Sequence, residues 1–372
     1  MKILHVTTHF NPFVGGLENL VLQLAIQQAK EHEVSILTLK YDQTLPNYEL
    51  ISGVKIFRVP CFVLLKNQYA WPKFGFSKEI QKINPDVLFT HTRFFATSFF
   101  AGRTIKNTLP KSLWIHTEHG MSHVPAQNIF IKFSAWCIDQ TLGRWIFKKA
   151  QKIVVLSHEG KIFIEKLGAL PSKIVIIHNG VKLPKTITPI PQKNKILFFG
   201  RMIREKGILE VLEVAKKCGN WTFELCGSGN LDFSQLPKNV IFSGEISPDK
   251  ISEKIQKADL ILLPSYAEGS CLAVLESAAQ GRAILATPVG QNKQILSPDF
   301  IVPIKNTEKI IEKLCILENN WKTLEQEGQK NQKQIKKDFN FESMIQAYKK
   351  TLSSGMTLLS SGTGFRISVF PS

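Results

Sequence analysis

Cysteine is scarce and scattered in this chain: there are six, and no two are spaced as CxxC. That excludes a zinc module or a disulfide framework and fits a reducing compartment. No apolar run reaches the roughly 18 residues that a membrane span needs. The opening MKILHVTTHF is apolar only in patches. His5 and His9 interrupt it and no small-residue cleavage site follows, so it reads as a first strand and not a signal peptide. Acidic residues are also short: 30 Asp+Glu stand against 47 Lys+Arg, a net charge of +17. Such a balance admits nucleic acid, an anionic membrane surface or a phosphorylated ligand as partners. No RNP, zinc or helix-turn-helix pattern accompanies the charge, so no nucleic-acid partner is expected. There is no GxGxxG fingerprint, no Asp-x-Asp element and no internal repeat of solenoid length.

What is present is length and alternation. The 372 residues, 44% of them hydrophobic, suffice for two cores. Short β-branched runs (KILHVTT, EVSILTL, VKIFRV, DVLFTH, SLWIHT, KIVVLS, KIVIIHN) alternate with helical patterns at 17–30, 94–106 and 159–167. Alternating strand and helix implies a parallel sheet covered on both faces. Residues 182–194 are proline-rich without helical period and read as a linker. The pattern then restarts with KILFFG, WTFELCG, NVIFSG, ADLILLPS and AILATP. The expected fold class is α/β, with two Rossmann-like domains whose parallel sheets face each other across a cleft. Residues 1–181 form the first domain, 195–337 the second and 338–352 a C-terminal helix. The Ser/Gly-rich end, 353–372, is expected to be a poorly ordered tail.

In open parallel sheets, ligands bind beyond the carboxyl ends of the strands. The loops there carry the candidate chemistry. After the first strand, NPFVGGLE sets Gly15 and Gly16 before a helix whose free N–H groups suit an anion. After the first strand of the second domain, FFGRMIREKG offers Arg201 and Lys206 as a clamp for a diphosphate. CGSGN, with Gly227 and Gly229, is a weaker phosphate signal. In HTEHGM, His116 belongs to the strand and reads as packed, while His119 lies past its end beside Gly120. His178 and Asn179 close the first domain in what reads as an Asn-Gly turn. In PSYAEGSCLAVLESAAQGRAIL, Glu268 precedes a helix and Glu276 sits inside it, with seven residues between them. Glu276 stacks over the edge of the apolar face of Leu272, Leu275 and Ala279, where an ionised carboxylate needs a polar partner. A vicinal diol, donating to both oxygens, meets that need.

Taken together, ENLVLQL after NPFVGG, then TEHG, FFGRMIREKG, CGSGN, NVIFSGEI and ADLILLPSYAEGSCLAVLESAAQGRAILAT resemble a retaining glycosyltransferase of family 4 with the GT-B fold, over residues 1–352. The resemblance implies transfer of a sugar from a UDP- or GDP-sugar to an acceptor hydroxyl. The acceptor would be a saccharide or lipid-linked molecule of cell-envelope polysaccharide, lipopolysaccharide or glycolipid synthesis. It assigns Glu276 to the ribose hydroxyls, Glu268 and His119 to the transferred sugar, Arg201 and Lys206 to the diphosphate, and Gly15 and Gly16 to the loop that closes on the phosphates. Gly269, Ser270, Cys271 and Leu272 complete the donor-binding turn. The family commonly has an aromatic residue and a glycine where Ser270 and Cys271 stand, which bears on the sugar pocket and keeps a catalytically silent GT-B partner protein as the alternative. No cofactor is expected, since the nucleotide sugar is a substrate. No metal is expected either, because no Asp-x-Asp element is present. The chain is expected to be cytoplasmic. Aromatic and basic residues mixed at Lys132, Trp136, Arg144, Phe147, Lys148 and Lys149, with Gly143 among them, suit peripheral docking on an anionic membrane surface.

Overall fold

The computed structural model describes every residue except 13–14, 65–68, 124–128, 230–234, 269 and 364–372. The chain divides into two compact units, Met1–Ile177 with Ile345–Ser372, and His178–Met344. Each is a Rossmann-like α/β domain on a parallel sheet.

The first unit is built on β1 (Lys2–Val6), β2 (Glu33–Lys40), β3 (Tyr48–Ile51), β4 (Val54–Leu64), β5 (Tyr69–Pro72), β6 (Val87–His91), β7 (Leu113–Glu118), β8 (Lys152–Val155) and β9 (Ile174–Ile176). Their order is β3-β4-β2-β1-β6-β7-β8-β9, with β5 added to β4. All pairings are parallel except those of β3 and β5 with β4. The central strands are buried along their whole length, VLFTH and LWIHTE among them. That is why they read as near-continuous apolar runs and not as alternating ones. The stretch after VKIFRV, which had no assigned structure, continues β4 and returns as β5. Phe62 and Trp71 lie opposite each other on this hairpin, both exposed.

The second unit carries β10 (Lys195–Phe199), β11 (Thr222–Cys226), β12 (Val240–Gly244), β13 (Leu260–Leu263) and β14 (Ala283–Ala286), in the order β12-β11-β10-β13-β14, all parallel. Its core gathers Phe198, Phe223, Trp221, Leu262, Val274 and Ile284, each essentially inaccessible. The chain reverses its order between β10 and β13. The loops leaving these two strands therefore diverge at the switch point where such sheets take ligands.

Of the expected tail, 353–372, residues 353–363 are helical instead, and 364–372 lie outside the described residues. The last helix runs Phe341–Thr363, well beyond Leu352. Tyr348, Thr351, Leu352 and Gly355 are buried at i, i+3, i+4 and i+7, so one helical face continues through the Ser/Gly-rich segment. Gly355 permits this close approach, because a Cβ there would stand 2.6 Å from a methyl of Leu113 on β7. The boundary between the units falls inside this helix, after Met344.

Candidate functional site

The candidate residues Arg201, Lys206 and Glu268 of the second unit lie on the loops after β10 and β13, and one glycine brings those loops together. Gly207 has φ +76°, and a Cβ on it would stand 2.2 Å from the carbonyl oxygen of Pro264. No other residue type fits both the left-handed backbone and that approach. The turn Arg204–Lys206 is thereby laid against the exit of β13, where Tyr266 N donates to Glu205 O at 2.8 Å. The result is an ion pair, Lys206 Nζ to Glu268 Oε1 at 2.5 Å, with Ser265 Oγ donating to the same oxygen at 2.8 Å. Arg201 follows Gly200 directly at the end of β10. Its guanidinium is exposed and forms no bond among the described residues.

The helix Leu272–Ala279 starts at Cys271, which is buried in the N-cap position. Burial, and then the charge of Glu268, push the Cys271 thiol up to about 12, so it is an uncharged space-filler. Leu272 opens the helix and is half-buried. Ser270 Oγ donates to Gln291 Oε1 at 3.1 Å, and the Gln291 amide meets His178 Nδ1 at 2.7 Å. Ser270 is thus tied to the start of the unit. Gly269 lies outside the described residues.

Glu276 stands apart from these contacts. It makes no hydrogen bond or ion pair among the described residues, and burial alone raises its carboxyl to about 7. A carboxyl held this far above its ordinary range by burial is a candidate to meet a ligand group that can donate to it.

Gly227 and Gly229, the weaker phosphate signal, serve a packing need. A Cβ on Gly227 would stand 1.8 Å from Gly200 O, and one on Gly229 would stand 2.2 Å from Met202 O. They let the loops after β10 and β11 lie side by side, joined by Gly200 N to Cys226 O and Met202 N to Ser228 O.

In the first unit, Gly15 is the extended N-cap of the helix Gly16–Gln28. The side chain of Glu18 in the first turn folds back over Gly15, where a Cβ would stand 2.2 Å from its Oε2. That carboxylate occupies the positive end of the helix dipole. His119 follows β7 and is half-buried, and its Nε2 lies 3.4 Å from His91 Nδ1. Burial pulls His119 down to about 4, so it is neutral at pH 7.

Below that loop lies a group that sequence reasoning passed over. The side chain of Arg93, fully buried, pairs with Glu118 (Nη1 to Oε1, 2.8 Å) and with Asp139 (Nε to Oδ1, 2.5 Å), and its Nη2 donates to Ser122 O at 2.9 Å. Glu118 also accepts from Gly120 N at 2.7 Å, and Asp139 binds His123. This network fixes both ends of the segment that presents His119. Glu118 is held down at about 2 against its burial, chiefly by the Arg93 charge. No sequence spacing links Arg93 to Asp139; the sheet brings them together. His116 is packed in the strand as expected, bonded to Thr90 and Glu118.

The aromatic-basic segment is corrected in part. Phe147 and Gly143 are interior: Phe147 lies edge-on to His116 with centroids 5.8 Å apart, and Gly143 packs against Arg93. Phe133 and Trp136 are exposed and stack on each other, beside exposed Lys132. Among the described residues, no three His, Cys, Asp or Glu side chains are grouped to hold a metal ion, and no helix is long and apolar enough to cross a membrane.

Comparison with known proteins agrees with this architecture. Residues 14–184 match the family described as Glycosyltransferase Family 4, and residues 183–334 match Glycosyl transferases group 1. An uncharacterized glycosyltransferase of Methanocaldococcus jannaschii is 25% identical over 94% of this chain and 97% of its own length. A GDP-mannose:cellobiosyl-diphosphopolyprenol alpha-mannosyltransferase of Xanthomonas campestris is 26% identical over 76% of this chain and 77% of its own. Among solved structures, an Anabaena protein in complex with UDP and glucose superposes with a TM-score of 0.73, at 14% identity, over 95% of this chain and all of that one, a likeness of fold. The chain therefore belongs to the glycosyltransferase families that these two models describe, a family 4 domain followed by a group 1 domain, on the GT-B fold.

Proposed function

We propose that this protein transfers a sugar from a UDP- or GDP-sugar to an acceptor hydroxyl with retained anomeric configuration and without a metal ion. The observation that carries the reading is Glu276, a half-buried carboxyl with no partner among the described residues, raised to about 7 on the helix that leaves the switch-point loop. The two hydroxyls of a ribose satisfy both of its oxygens. Lys206 and exposed Arg201, on the loop after β10, neutralise the diphosphate as charge develops on the leaving oxygen. Glu268, already held by Lys206 and Ser265, is assigned to the transferred sugar, and so, separately, is His119. Arg201, Lys206 and the N-terminus of the helix Leu272–Ala279 supply the positive charge that a bridging metal would otherwise bring. The oxygen released on the donor phosphate takes the proton of the attacking hydroxyl, which fits a site without an obvious separate base. UDP and glucose bound by the Anabaena neighbour support the nucleotide-sugar part of the reading.

The acceptor is proposed to be a lipid-linked or envelope saccharide on the cytoplasmic leaflet. The Xanthomonas relative, named for a diphosphopolyprenol substrate, supports this. So do the exposed aromatic rings of the first unit, which stand beside lysines: Lys73 lies 4.6 Å from the Phe62 ring centroid, Trp71 and Phe74 are exposed nearby in the chain, and Lys132 adjoins Phe133 and Trp136. Such pairs suit the interface of an anionic bilayer.

The test is a screen of UDP- and GDP-sugars by mass spectrometry, with a saccharide or polyprenyl-diphosphate acceptor. Donor hydrolysis or transfer with retention, unaffected by EDTA, is the expected result. Nucleotide binding without turnover on any donor would point to the catalytically silent partner. No nucleotide binding at all would overturn the reading.

A further inference from the structure

A row of four hydrogen-bonded side chains runs through the first unit to the loop after β7. Gln28 Oε1 is 2.7 Å from His5 Nε2, His5 Nδ1 is 3.2 Å from His91 Nε2, and His91 Nδ1 is 3.4 Å from His119 Nε2. His5 and His91 are inaccessible, and His5 is also stacked on Phe89 with centroids 4.7 Å apart. Burial lowers His5 to about 4 and holds His91 well below its ordinary value. All three rings are thus neutral, with one N–H and one lone pair each.

Such a row has only two consistent orderings, because every link needs one donor and one acceptor. A carbonyl oxygen at its inner end selects one of them. His5 donates from Nε2 to Gln28 and accepts at Nδ1. His91 donates from Nε2 to His5 and accepts at Nδ1. His119 then donates from Nε2 to His91. We infer that Gln28, His5 and His91 are positioning residues that set the tautomer of His119, with its proton on Nε2 and its lone pair on Nδ1. This rests on the proposed contact of His119 with the transferred sugar, to which Nδ1 then offers an acceptor for a hydroxyl. Neither His5 nor His91 has another role in the proposed reaction, and a buried polar row of this kind is costly unless every link is made.

The tautomer can be read without any donor present, so the outcome is independent of which sugar, if any, is transferred. The protein is labelled with 15N-histidine, and two-bond proton–nitrogen correlations are recorded at pH 7.5. Comparison with His119→Asn identifies one set of signals among the nine histidines. The expected spectrum shows His119 Nε2 as the protonated, pyrrole-type nitrogen and Nδ1 as the unprotonated, pyridine-type one. Gln28→Glu, whose carboxylate can only accept, should retain that pattern. Gln28→Met removes the terminal acceptor and should move both His119 nitrogens toward averaged values, although three hydrogen bonds separate the two side chains. A wild-type spectrum with the proton on Nδ1, a reversal in Gln28→Glu, or His119 signals unmoved in a folded Gln28→Met would each overturn the inference. If Gln28→Met does not fold, the wild-type and Gln28→Glu spectra decide it.

Discussion

Replacing Glu276 with glutamine should make the unliganded protein more stable and its nucleotide affinity lower. The carboxyl of Glu276 sits at about 7 in the folded protein against 4.5 for an ordinary glutamate, through burial. The difference corresponds to about 3 kcal/mol of penalty on the charged form. Its folded value is raised, so between about pH 4.5 and 7 the folded protein keeps a proton that the unfolded chain has lost. Stability therefore falls as pH rises through that window, and the full loss is present above pH 7. Glutamine does not ionise. Glu276→Gln should then match wild type near pH 4 and exceed it at pH 8 by up to about 3 kcal/mol, a rise of several degrees in Tm. Binding runs the other way. A ribose donating two charge-assisted hydrogen bonds, at about 1.5–3 kcal/mol each, favours the ionised form. Nucleotide binding should release a proton below pH 7, and affinity should climb with pH until it levels there. In Glu276→Gln that slope is gone and affinity is about tenfold to a hundredfold lower. Calorimetry with UDP and GDP at pH 6 and 8, in buffers of different ionisation enthalpy, reads both quantities. The diphosphate's own titration is common to the two proteins and cancels in the difference. Equal affinities, or a variant no more stable than wild type at pH 8, would refute the assignment.

Lys206→Ala and Arg201→Ala should each lower turnover about a hundredfold or more in a donor-hydrolysis assay. Only Lys206→Ala should also alter the folded state, by leaving Glu268 without its ion pair. Arg201 is exposed and has no partner among the described residues, so Arg201→Ala should leave Tm unchanged. Gly207→Ala places a Cβ 2.2 Å from Pro264 O at φ +76°. It should cost about 1–3 kcal/mol in denaturant unfolding and weaken nucleotide binding, since it drives apart the loops that carry Lys206 and Glu268. Gly355→Leu should lose about 1–3 kcal/mol by overpacking against Leu113, measured by calorimetric unfolding. A poorly ordered tail would accept it without loss.

Two parallel sheets, their helices and the loops that carry chemistry were legible in the residues alone, because strand burial and helical periodicity are local patterns. KILFFG and ADLILLPS each name a buried strand, and the glycines, basic residues and carboxylates directly after them stand where such strands end. The need of Glu276 for a partner was legible too, since it follows from one carboxylate at the edge of an apolar helix face. Other features were decided only by the fold. Arg93 and Asp139 pair across 46 positions, and Gln28, His5, His91 and His119 fall into one row from four separate elements. Strand order sets such contacts, and no spacing in the chain encodes it. Phe147 and Trp136 are both aromatic in one basic segment, yet the first is core and the second surface. Gly355 looked like the mark of a loose tail, whereas its missing side chain is what lets the helix seat on Leu113. Composition records which groups a segment carries, but only packing decides which of them meet water.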